Sequence, residues 1–194
     1  MSPEYFQRLY RDHEDPWNFA SSRYEQDKYT ATLDALPRRR YRSALELGCS
    51  IGVFTRMLAA RCNDVLAVDV SVDALHRAAL RCGDLPNVRF APCDLSRAFP
   101  EGAYDLVTLC ELGFYFSPRD LGRMRESIAR ALEPGGDLVL VHWTPPVAGH
   151  AQSTNDVHAA FLGDRRFRAR THARAPTYRL DVVTRADEGT AGRL

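Results

Sequence analysis

Apolar residues along the chain fall into alternating blocks that predict strands and helices in turn. Short apolar runs are followed by stretches in which apolar residues recur every three or four positions, the spacing of one helix face. The predicted strands are 44–47, 64–70, 88–91, 104–110 and 137–143, and the clearest predicted helices are 53–60 and one that begins at Ser117-Pro118 and stops at Pro134-Gly135-Gly136. This order predicts an α/β fold: a Rossmann-like, doubly wound, mostly parallel sheet with helices on both faces.

The segments on either side of this alternation predict additions to the sheet. Towards the C-terminus, a short helix near 155–162 precedes two strand-like runs, 166–173 and 177–184, which predict a hairpin that adds an antiparallel strand. Before the sheet, residues 1–40 predict two helices separated by Asp15-Pro16. We expect one domain over 1–185, with 1–40 as a helical lid and 41–185 as the core, and a disordered tail at 186–194.

Composition and charge narrow the class of protein. The chain has 194 residues, enough for one domain with a substantial core, and 26 basic against 25 acidic residues give a net charge of +1. This balance favours neither nucleic acid nor a membrane surface as a general partner. No apolar run approaches the roughly 18 residues of a membrane span, and the polar N-terminus is unlike a signal peptide, so we expect a cytoplasmic protein. Five cysteines without a C-x-x-C pair predict reduced thiols and no metal site.

The segment from Glu46 to Gly52 carries the most specific chemistry. It predicts a strand that ends in a glycine turn at the start of a helix, where exposed backbone N–H groups let a ligand approach closely. A dinucleotide site needs the spacing G-x-G-x-x-G, which fails here because three residues separate Gly48 from Gly52. The pattern that stands instead is acidic-x-G-x-(small)-x-G.

That pattern resembles the first motif of class I S-adenosylmethionine (SAM) dependent methyltransferases. SAM has a cationic amino-acid end and no pyrophosphate, so a carboxylate beside the loop suits it where phosphate would be repelled. The resemblance implies a cofactor site that includes Glu46, Gly48, Cys49, Ser50 and Gly52. Ser50 stands where the family has a glycine, and it keeps the turn small but narrows the approach. The alternative is a glycine turn in another kind of α/β protein.

Two aspartates at the ends of the next strands predict further cofactor contacts. Asp69 lies 17 positions after Gly52, where a carboxylate in a doubly wound fold accepts from a ribose diol, with Val70 beside it. Its alternative is to start the turn before the next helix, although Ser71 is the better N-cap. In the methyltransferase family the position of Asp94 accepts from the adenine amino group, and the backbone N–H of Leu95 meets the ring. The alternative for Asp94 is a loop aspartate that bonds its own backbone.

A wider set of segments makes the resemblance more specific. The chain resembles the nodulation protein S family of SAM-dependent N-methyltransferases in Asp15–Phe19, Ser22–Tyr29, Glu46–Gly52, Val141–Trp143 and Tyr178–Asp181. The resemblance covers nearly the whole chain except the tail. It implies methylation of the free amine of a deacetylated chitooligosaccharide, or of a related amino sugar, and an N-terminal segment that closes over SAM with Trp17, Arg23 and Tyr24 nearest to it.

The acceptor is expected at the carboxyl ends of the fourth and fifth strands. A glucosamine-type ammonium must lose a proton before it attacks a methyl group, and a histidine or carboxylate can take that proton. We expect His142 as the base and Glu111 as an orienting group that also contacts the cofactor. Their alternatives are a strand-end histidine bonded to backbone and a solvated glutamate. The expected acceptor walls are Tyr115, Trp143 and His158, although His158 fits a surface helix equally well and strand neighbours such as His142 and Trp143 point to opposite faces.

Several functions fit this sequence. The first is SAM-dependent methylation of an amino sugar or a similar small amine. The same fold and cofactor also serve a hydroxyl or another small-molecule acceptor. A third possibility is a SAM-binding protein that regulates a partner without catalysis, and a nicotinamide dehydrogenase is disfavoured by the missing third glycine. The sequence does not assign an oligomeric state.

Overall fold

The computed structural model describes residues 1–187, and its fold is the expected α/β architecture. The predicted tail lies largely at 188–194, outside the described residues. The helices are α1 (Pro3–Asp12), α2 (Arg23–Asp34), α3 (Val53–Ala59), α4 (Val72–Arg81), α5 (Pro118–Ala131) and α6 (Thr154–Leu162). The strands are β1 (Tyr41–Leu47), β2 (Cys62–Asp69), β3 (Val88–Pro92), β4 (Tyr104–Cys110), β5 (Leu132–Trp143), β6 (Phe167–Arg174) and β7 (Tyr178–Arg185).

The seven strands form one sheet in the order β3-β2-β1-β4-β5-β7-β6. Strands β1 to β5 pair in parallel, whereas β7 pairs antiparallel to both β5 and β6. The expected C-terminal hairpin is therefore confirmed, and it adds an antiparallel edge to a parallel sheet. The strand order reverses between β1 and β4, which places a crevice at the carboxyl ends of those strands.

The central strands are apolar on both sides because helices cover both faces of the sheet. Leu45, Leu140 and the residues two positions from them on the same strands, Leu47 and Leu138, pack against α5 and α6. Residues on the opposite face of the sheet, such as Leu106 and Val139, pack against the inner side of α2 and α3. Within the described residues, no helix combines the length and the apolar character that a bilayer crossing requires.

Strand β5 begins earlier than the sequence predicts. Leu132 already pairs with Tyr104, and regular pairing resumes where Asp137 meets Leu106, so the residues between form a bulge. The predicted helix stop at Pro134-Gly135-Gly136 thus lies inside the irregular start of the strand, after α5 has ended at Ala131. A bulge of this kind lets one strand carry extra residues without losing its partner.

The N-terminal region consists of two parts with different packing. Helix α2 buries Tyr29 and Leu33 in the core, so it belongs to the packed body of the protein. Helix α1 buries Tyr10 and covers the carboxyl edge of the sheet. The connection between them turns at Asp15, whose carboxylate accepts from the backbone N–H groups of Phe19 and Ala20 at 2.9 and 2.8 Å. The break predicted at Asp15-Pro16 is confirmed.

Two glycines provide opposite tests of this packing. Gly122 lies within α5, and a Cβ added there meets nothing within 4 Å. Because alanine favours a helix more than glycine does, Gly122→Ala should raise the free energy of unfolding by about 0.5–1 kcal/mol. Urea unfolding followed by circular dichroism measures the change, and a lower free energy of unfolding would contradict the packing described for α5.

Gly52 should respond in the other direction. Its φ is +77°, and an added Cβ would lie 2.9 Å from Cα of Ala78 on α4. The backbone there cannot move without separating α3 from α4, so Gly52→Ala should lower the free energy of unfolding by about 1–3 kcal/mol. The same urea titration serves, and a neutral result would show that α4 is less tightly packed than described.

Candidate active site

A cavity of about 510 Å³ lies along the carboxyl ends of β1, β2, β4 and β5, beneath α1. Carboxyl ends of parallel strands are the usual ligand-binding edge of such a sheet. Predicted cofactor residues that line this cavity are Trp17, Glu46, Gly48, Cys49, Ser50, Asp69, Val70, Asp94, Leu95 and Glu111. The structure therefore gathers most of the sequence-predicted cofactor residues around one space.

The loop after β1 presents its backbone to the cavity. Gly48 and Ser50 have φ values of +77° and +52°, so the chain turns sharply at both positions. A Cβ at Gly48 would lie 3.1 Å from the Leu112 side chain, which explains the need for glycine there. Gly52 is the N-cap of α3 and packs against α4, so this predicted cofactor residue shapes the loop without lining the cavity.

Ser50 connects the loop to the helix above it. The Tyr10 hydroxyl lies 2.5 Å from Ser50 Oγ, and Tyr10 is buried. The side-chain amide of Gln7 donates to the carbonyl of Val70 at 2.9 Å, which fixes α1 to the end of β2 as well. Phe6 and Tyr10, both on α1, line the cavity. The serine that replaces the family glycine therefore has a partner in the covering helix.

Asp69 is held by two backbone N–H groups at the cavity wall. One oxygen accepts from Ser50 at 2.8 Å and the other from Ser71 at 2.9 Å. Burial raises the pKa of Asp69, and these hydrogen bonds oppose the rise. Ser71 caps α4 through Ala74, as expected, so the carboxylate is not needed as a cap. Each oxygen keeps a second lone pair, which suits the two hydroxyls of a ribose.

Glu46 supplies a buried oxygen without a hydrogen-bond partner. Its Oε2 is enclosed in protein and meets no donor, although the residue lines the cavity. Burial raises the pKa of Glu46 to about 8, and Asp69 contributes to the rise while Thr55 opposes it. Near pH 7 the side chain therefore favours its neutral form, and a cationic ligand group beside it would stabilise the carboxylate. The residues present thus fit the cationic amino-acid end of SAM.

Asp94 lies at the cavity and also forms hydrogen bonds within its own loop. It lines the cavity, and its Oδ1 accepts from the backbone N–H and the hydroxyl of Ser96 at 3.0 and 2.6 Å. The loop is therefore shaped by its own aspartate, and Leu95 follows on the cavity wall. Contact of Asp94 with an adenine amino group remains a prediction.

Of the three N-terminal residues that were expected to contact the cofactor, only Trp17 lines the cavity. Trp17 lines the cavity and stacks on Phe19 with ring centroids 5.5 Å apart. Arg23 is the first residue of α2, where its side chain is 87% exposed and pairs with Asp27, so the structure does not bring it to the cavity. Tyr24 does not line the cavity either, because its ring packs edge-on against Trp143 and its hydroxyl meets Thr177.

A buried ion cluster lies in the cavity wall where α2 meets the end of β4. Glu111 follows β4 with a φ of +51°, and its two oxygens accept from Lys28 Nζ at 2.6 Å and from the Trp143 backbone N–H at 2.8 Å. Lys28 is 2% exposed and also pairs with Glu25 at 2.9 Å. Burial raises the pKa of Glu111, while Lys28 opposes this rise. Glu25, Lys28 and Glu111 all line the cavity, so Glu111 is not the solvated glutamate of the alternative.

Sequence reasoning did not identify Lys28 or Glu25. Their spacing of three positions on α2 matches an ordinary surface ion pair, and the contact with Glu111 spans 83 positions. A usable signal was present, since both residues fall on the face of α2 that carries the buried Tyr29 and Leu33. Charged residues on an apolar helix face indicate either paired burial or a site.

His142 and His158 are both completely buried and do not line the cavity. His142 Nε2 accepts from the Gly113 backbone N–H at 3.0 Å, and its Nδ1 lies 3.0 Å from His158 Nε2. His158 Nδ1 in turn lies 2.5 Å from Asp181 Oδ2. The geometry therefore does not support His142 as the base or His158 as an acceptor contact, because their ring nitrogens already have partners. His142 matches its alternative, a strand-end histidine bonded to backbone.

Trp143, rather than His142, is the residue at the end of β5 that lines the cavity. Successive residues of β5 point to opposite faces, and the side chain of Trp143 is the one that lines the cavity. Tyr115 lines it too, as expected, from a short 3-10 helix over Gly113–Tyr115. His150 also lies there, stacked on Phe114 with ring centroids 3.8 Å apart. In the described part of the chain, no cluster of His, Cys, Asp and Glu has the arrangement of a metal site.

The buried histidines predict a dependence of stability on pH. Burial lowers the pKa of His142 well below 6.5 and lowers that of His158 as well. Below pH 6.5 the unfolded chain binds protons that the folded protein does not, so these residues make stability fall as the pH falls. For His142 the slope should approach about 1.4 kcal/mol per pH unit once the pH is about one unit below 6.5, where the unfolded chain is almost fully protonated at this residue.

Comparison with His142→Gln isolates this contribution from that of Glu46, whose raised pKa acts in the opposite direction. Urea titrations of the wild type and of His142→Gln between pH 5 and 7.5 measure the free energy of unfolding of each. On acidification this free energy should fall more steeply for the wild type than for the variant. His76→Gln, a change at an exposed position on α4, is the matched control. Parallel curves for the wild type and His142→Gln would contradict the buried neutral state of His142.

Comparison with known proteins identifies relatives of the whole arrangement. The family model described as Nodulation protein S (NodS) matches residues 4–142. Nodulation protein S of Bradyrhizobium diazoefficiens is 33% identical over 156 residues, 76% of this chain and 73% of that protein. The Rhizobium tropici protein of the same name is 29% identical over 65% of this chain, and the match spans about half of its length, 54%.

Solved structures agree with the fold. The N-methyltransferase NodS from Bradyrhizobium japonicum WM9, in complex with S-adenosyl-L-homocysteine, has a TM-score of 0.83 at 21% identity and covers 94% of this chain and 98% of its own. A protein of Pseudomonas syringae assigned as a methyltransferase has a TM-score of 0.75 at 33% identity, over 84% of this chain and 99% of its own.

The sequence-based expectations of family, fold, enzyme class and cofactor are confirmed, and a nicotinamide dehydrogenase has no support. SAM is the cofactor, consistent with the unpaired Glu46 oxygen and the twice-bonded Asp69 in the cavity. The chain belongs to the nodulation protein S family of class I SAM-dependent methyltransferases.

Proposed function

We propose that this protein transfers a methyl group from SAM to the free amine of an amino sugar, such as a deacetylated chitooligosaccharide. The observation that carries the proposal is the buried cluster of Glu25, Lys28 and Glu111 at the acceptor side of the cavity. The B. japonicum relative, an N-methyltransferase, supports nitrogen as the acceptor atom.

The charge of this cluster suits an acceptor that arrives as a cation. Two carboxylates share the single ammonium of Lys28, which leaves one net negative charge when both are ionised. The charge lies in a partly buried wall, where it is less screened than at an open surface. An amino sugar carries an ammonium group near neutral pH and is attracted to such a wall. A neutral hydroxyl acceptor gains no comparable attraction.

The aromatic walls suit the ring of a sugar. Tyr115 and Trp143 both line the cavity near Glu111, and Phe114 and His150 extend the apolar surface. Flat aromatic faces pack against the C–H faces of a pyranose and interact favourably with partial positive charge. The same walls exclude water from the reacting atoms.

Glu111 is the residue that we assign to the proton of the acceptor. Bound SAM supplies an electrophilic methyl group on a positively charged sulfur. The acceptor ammonium must first lose a proton, and Glu111 can accept it directly or through one water molecule. Burial favours the protonated form of this carboxyl, whereas Lys28 favours the carboxylate, so the two influences oppose each other. The neutral amine then has the lone pair that forms the new bond to carbon, and the sulfur keeps the electron pair of the bond that breaks.

A pair of acceptors tests the class of substrate. A chitotetraose with one free amine should be methylated on nitrogen when incubated with labelled SAM, whereas the fully N-acetylated chitotetraose should not, because acetylation removes the basic lone pair. Mass spectrometry locates the methyl group. Equal methylation of both oligosaccharides would indicate a hydroxyl acceptor and overturn the proposal.

Replacement of Glu111 tests its assigned role. Glu111→Gln keeps the shape of the side chain but removes the proton acceptor, so kcat should fall by about 10²- to 10⁴-fold. The affinity for S-adenosylhomocysteine, measured by calorimetry, should change much less. Glu101→Gln, at an exposed position, is the matched control. Wild-type kcat in Glu111→Gln would contradict the assignment while leaving the acceptor class to the chitotetraose experiment.

A further inference from the structure

The end of β5 holds the segment Glu111–Gly113 at three points. The Val141 carbonyl accepts from the Glu111 N–H at 2.8 Å, and the Trp143 N–H donates to the Glu111 carboxylate at 2.8 Å. Between them, the His142 ring accepts from the Gly113 N–H at 3.0 Å. Three consecutive residues of one strand thus fix both the backbone and the side chain of the acceptor-side carboxylate.

These contacts hold Glu111 in a backbone conformation that residues other than glycine rarely adopt. Glu111 has a φ of +51°, in the left-handed region that is strained for any residue with a side chain. Gly113 lies directly against the imidazole, since a Cβ added there would be 3.0 Å from His142 Nε2 and 2.6 Å from Val157 Cγ1. The His142 ring therefore sets where the turn runs and where Tyr115, two residues later, meets the cavity.

The partners of the two histidines determine which nitrogen carries the proton. Arg179 can only donate, and its Nε lies 2.7 Å from Asp181 Oδ2, so Asp181 accepts. His158 then donates from Nδ1 to Asp181 and accepts at Nε2 from Nδ1 of His142. This leaves His142 Nε2 without a proton and able to accept from Gly113. His172, whose Nδ1 is 2.5 Å from the other oxygen of Asp181, lies at the outer end of this series of hydrogen bonds.

We propose that His142 is a positioning residue for methyl transfer, and that His158 and Asp181 maintain the tautomer in which its Nε2 holds the Gly113 turn and thereby aligns Glu111 and Tyr115 with the acceptor. The role in turnover rests on the proposed function of Glu111. The tautomer and the Gly113 contact do not, because they are properties of the protein without an acceptor.

The first experiment measures the tautomers in the protein saturated with S-adenosylhomocysteine. Nitrogen-15 NMR of labelled histidine should show a protonated Nδ1 and an unprotonated Nε2 for both His142 and His158. The Gly113 amide should exchange slowly with solvent in the wild type and at least 10-fold faster in His142→Leu, which cannot accept a hydrogen bond. A protonated Nε2 on His142, or exchange at Gly113 that is unchanged by His142→Leu, would overturn the proposal.

The second experiment separates positioning from general stability. His142→Gln can place an amide oxygen near the position of Nε2, whereas His142→Leu cannot. With the amine acceptor that the wild type methylates, His142→Leu should lower kcat by about 10- to 100-fold, because small misplacement of a reacting group is costly. His142→Gln should recover most of that loss, and both variants should bind S-adenosylhomocysteine within a few-fold of wild type.

The controls distinguish the possible failures. His76→Gln should leave kcat unchanged. Equal loss of kcat in the Gln and Leu variants, with S-adenosylhomocysteine binding retained, would show that the hydrogen bond to Gly113 is not what matters and would overturn the proposal. If the wild type methylates no amine acceptor, the proposed function fails, and the NMR and exchange measurements still decide whether His142 holds Gly113.

Discussion

The buried ion pairs of Lys28 are the interactions on which the proposed acceptor side of the cavity depends. The Lys28 ammonium joins α2 to the end of β4 through contacts with Glu25 and Glu111, and it allows two carboxylates to lie within the same wall. Removing one partner from a buried ion pair leaves an uncompensated charge and typically costs about 3–5 kcal/mol. When both carboxylates are ionised the cluster also carries one net negative charge, so the same contacts serve both the packing of α2 and the electrostatics of the cavity.

Most of the cofactor side could be predicted from the sequence because its residues lie close together along the chain. Glu46, Gly48 and Ser50 lie in one strand and its following turn, and Asp69 ends the next strand, so periodicity alone brings them to one edge. The alternation of strands and helices and the C-terminal hairpin followed from the same periodicity, whereas the order of the strands across the sheet came from the structure. Element boundaries were less accurate, as at β5, where the bulge before Asp137 depends on pairing with β4.

The acceptor side was less accessible because it depends on contacts between distant residues. Strand alternation predicted that only one of His142 and Trp143 would face the cavity, but nothing local determined which of the two it would be. The packing of α6 against β5 decides it, since His158 lies beside His142. Lys28 was overlooked for a similar reason, because its partner Glu111 is far away in sequence. The domain limits and the role of each site residue remain predictions.

The last strand of the sheet has a consequence for the order in which the site forms. Asp181 lies on β7, and it reaches the acceptor edge through His158 and His142. During synthesis, N-terminal segments leave the ribosome first, so β1 to β4 and the cofactor loop emerge before β7. A nascent chain at that stage has its cofactor residues but has no anchor for the histidine tautomers. The residues that line the cofactor side are thus synthesised before the strand that, in our proposal, anchors the histidines behind Glu111 and Tyr115.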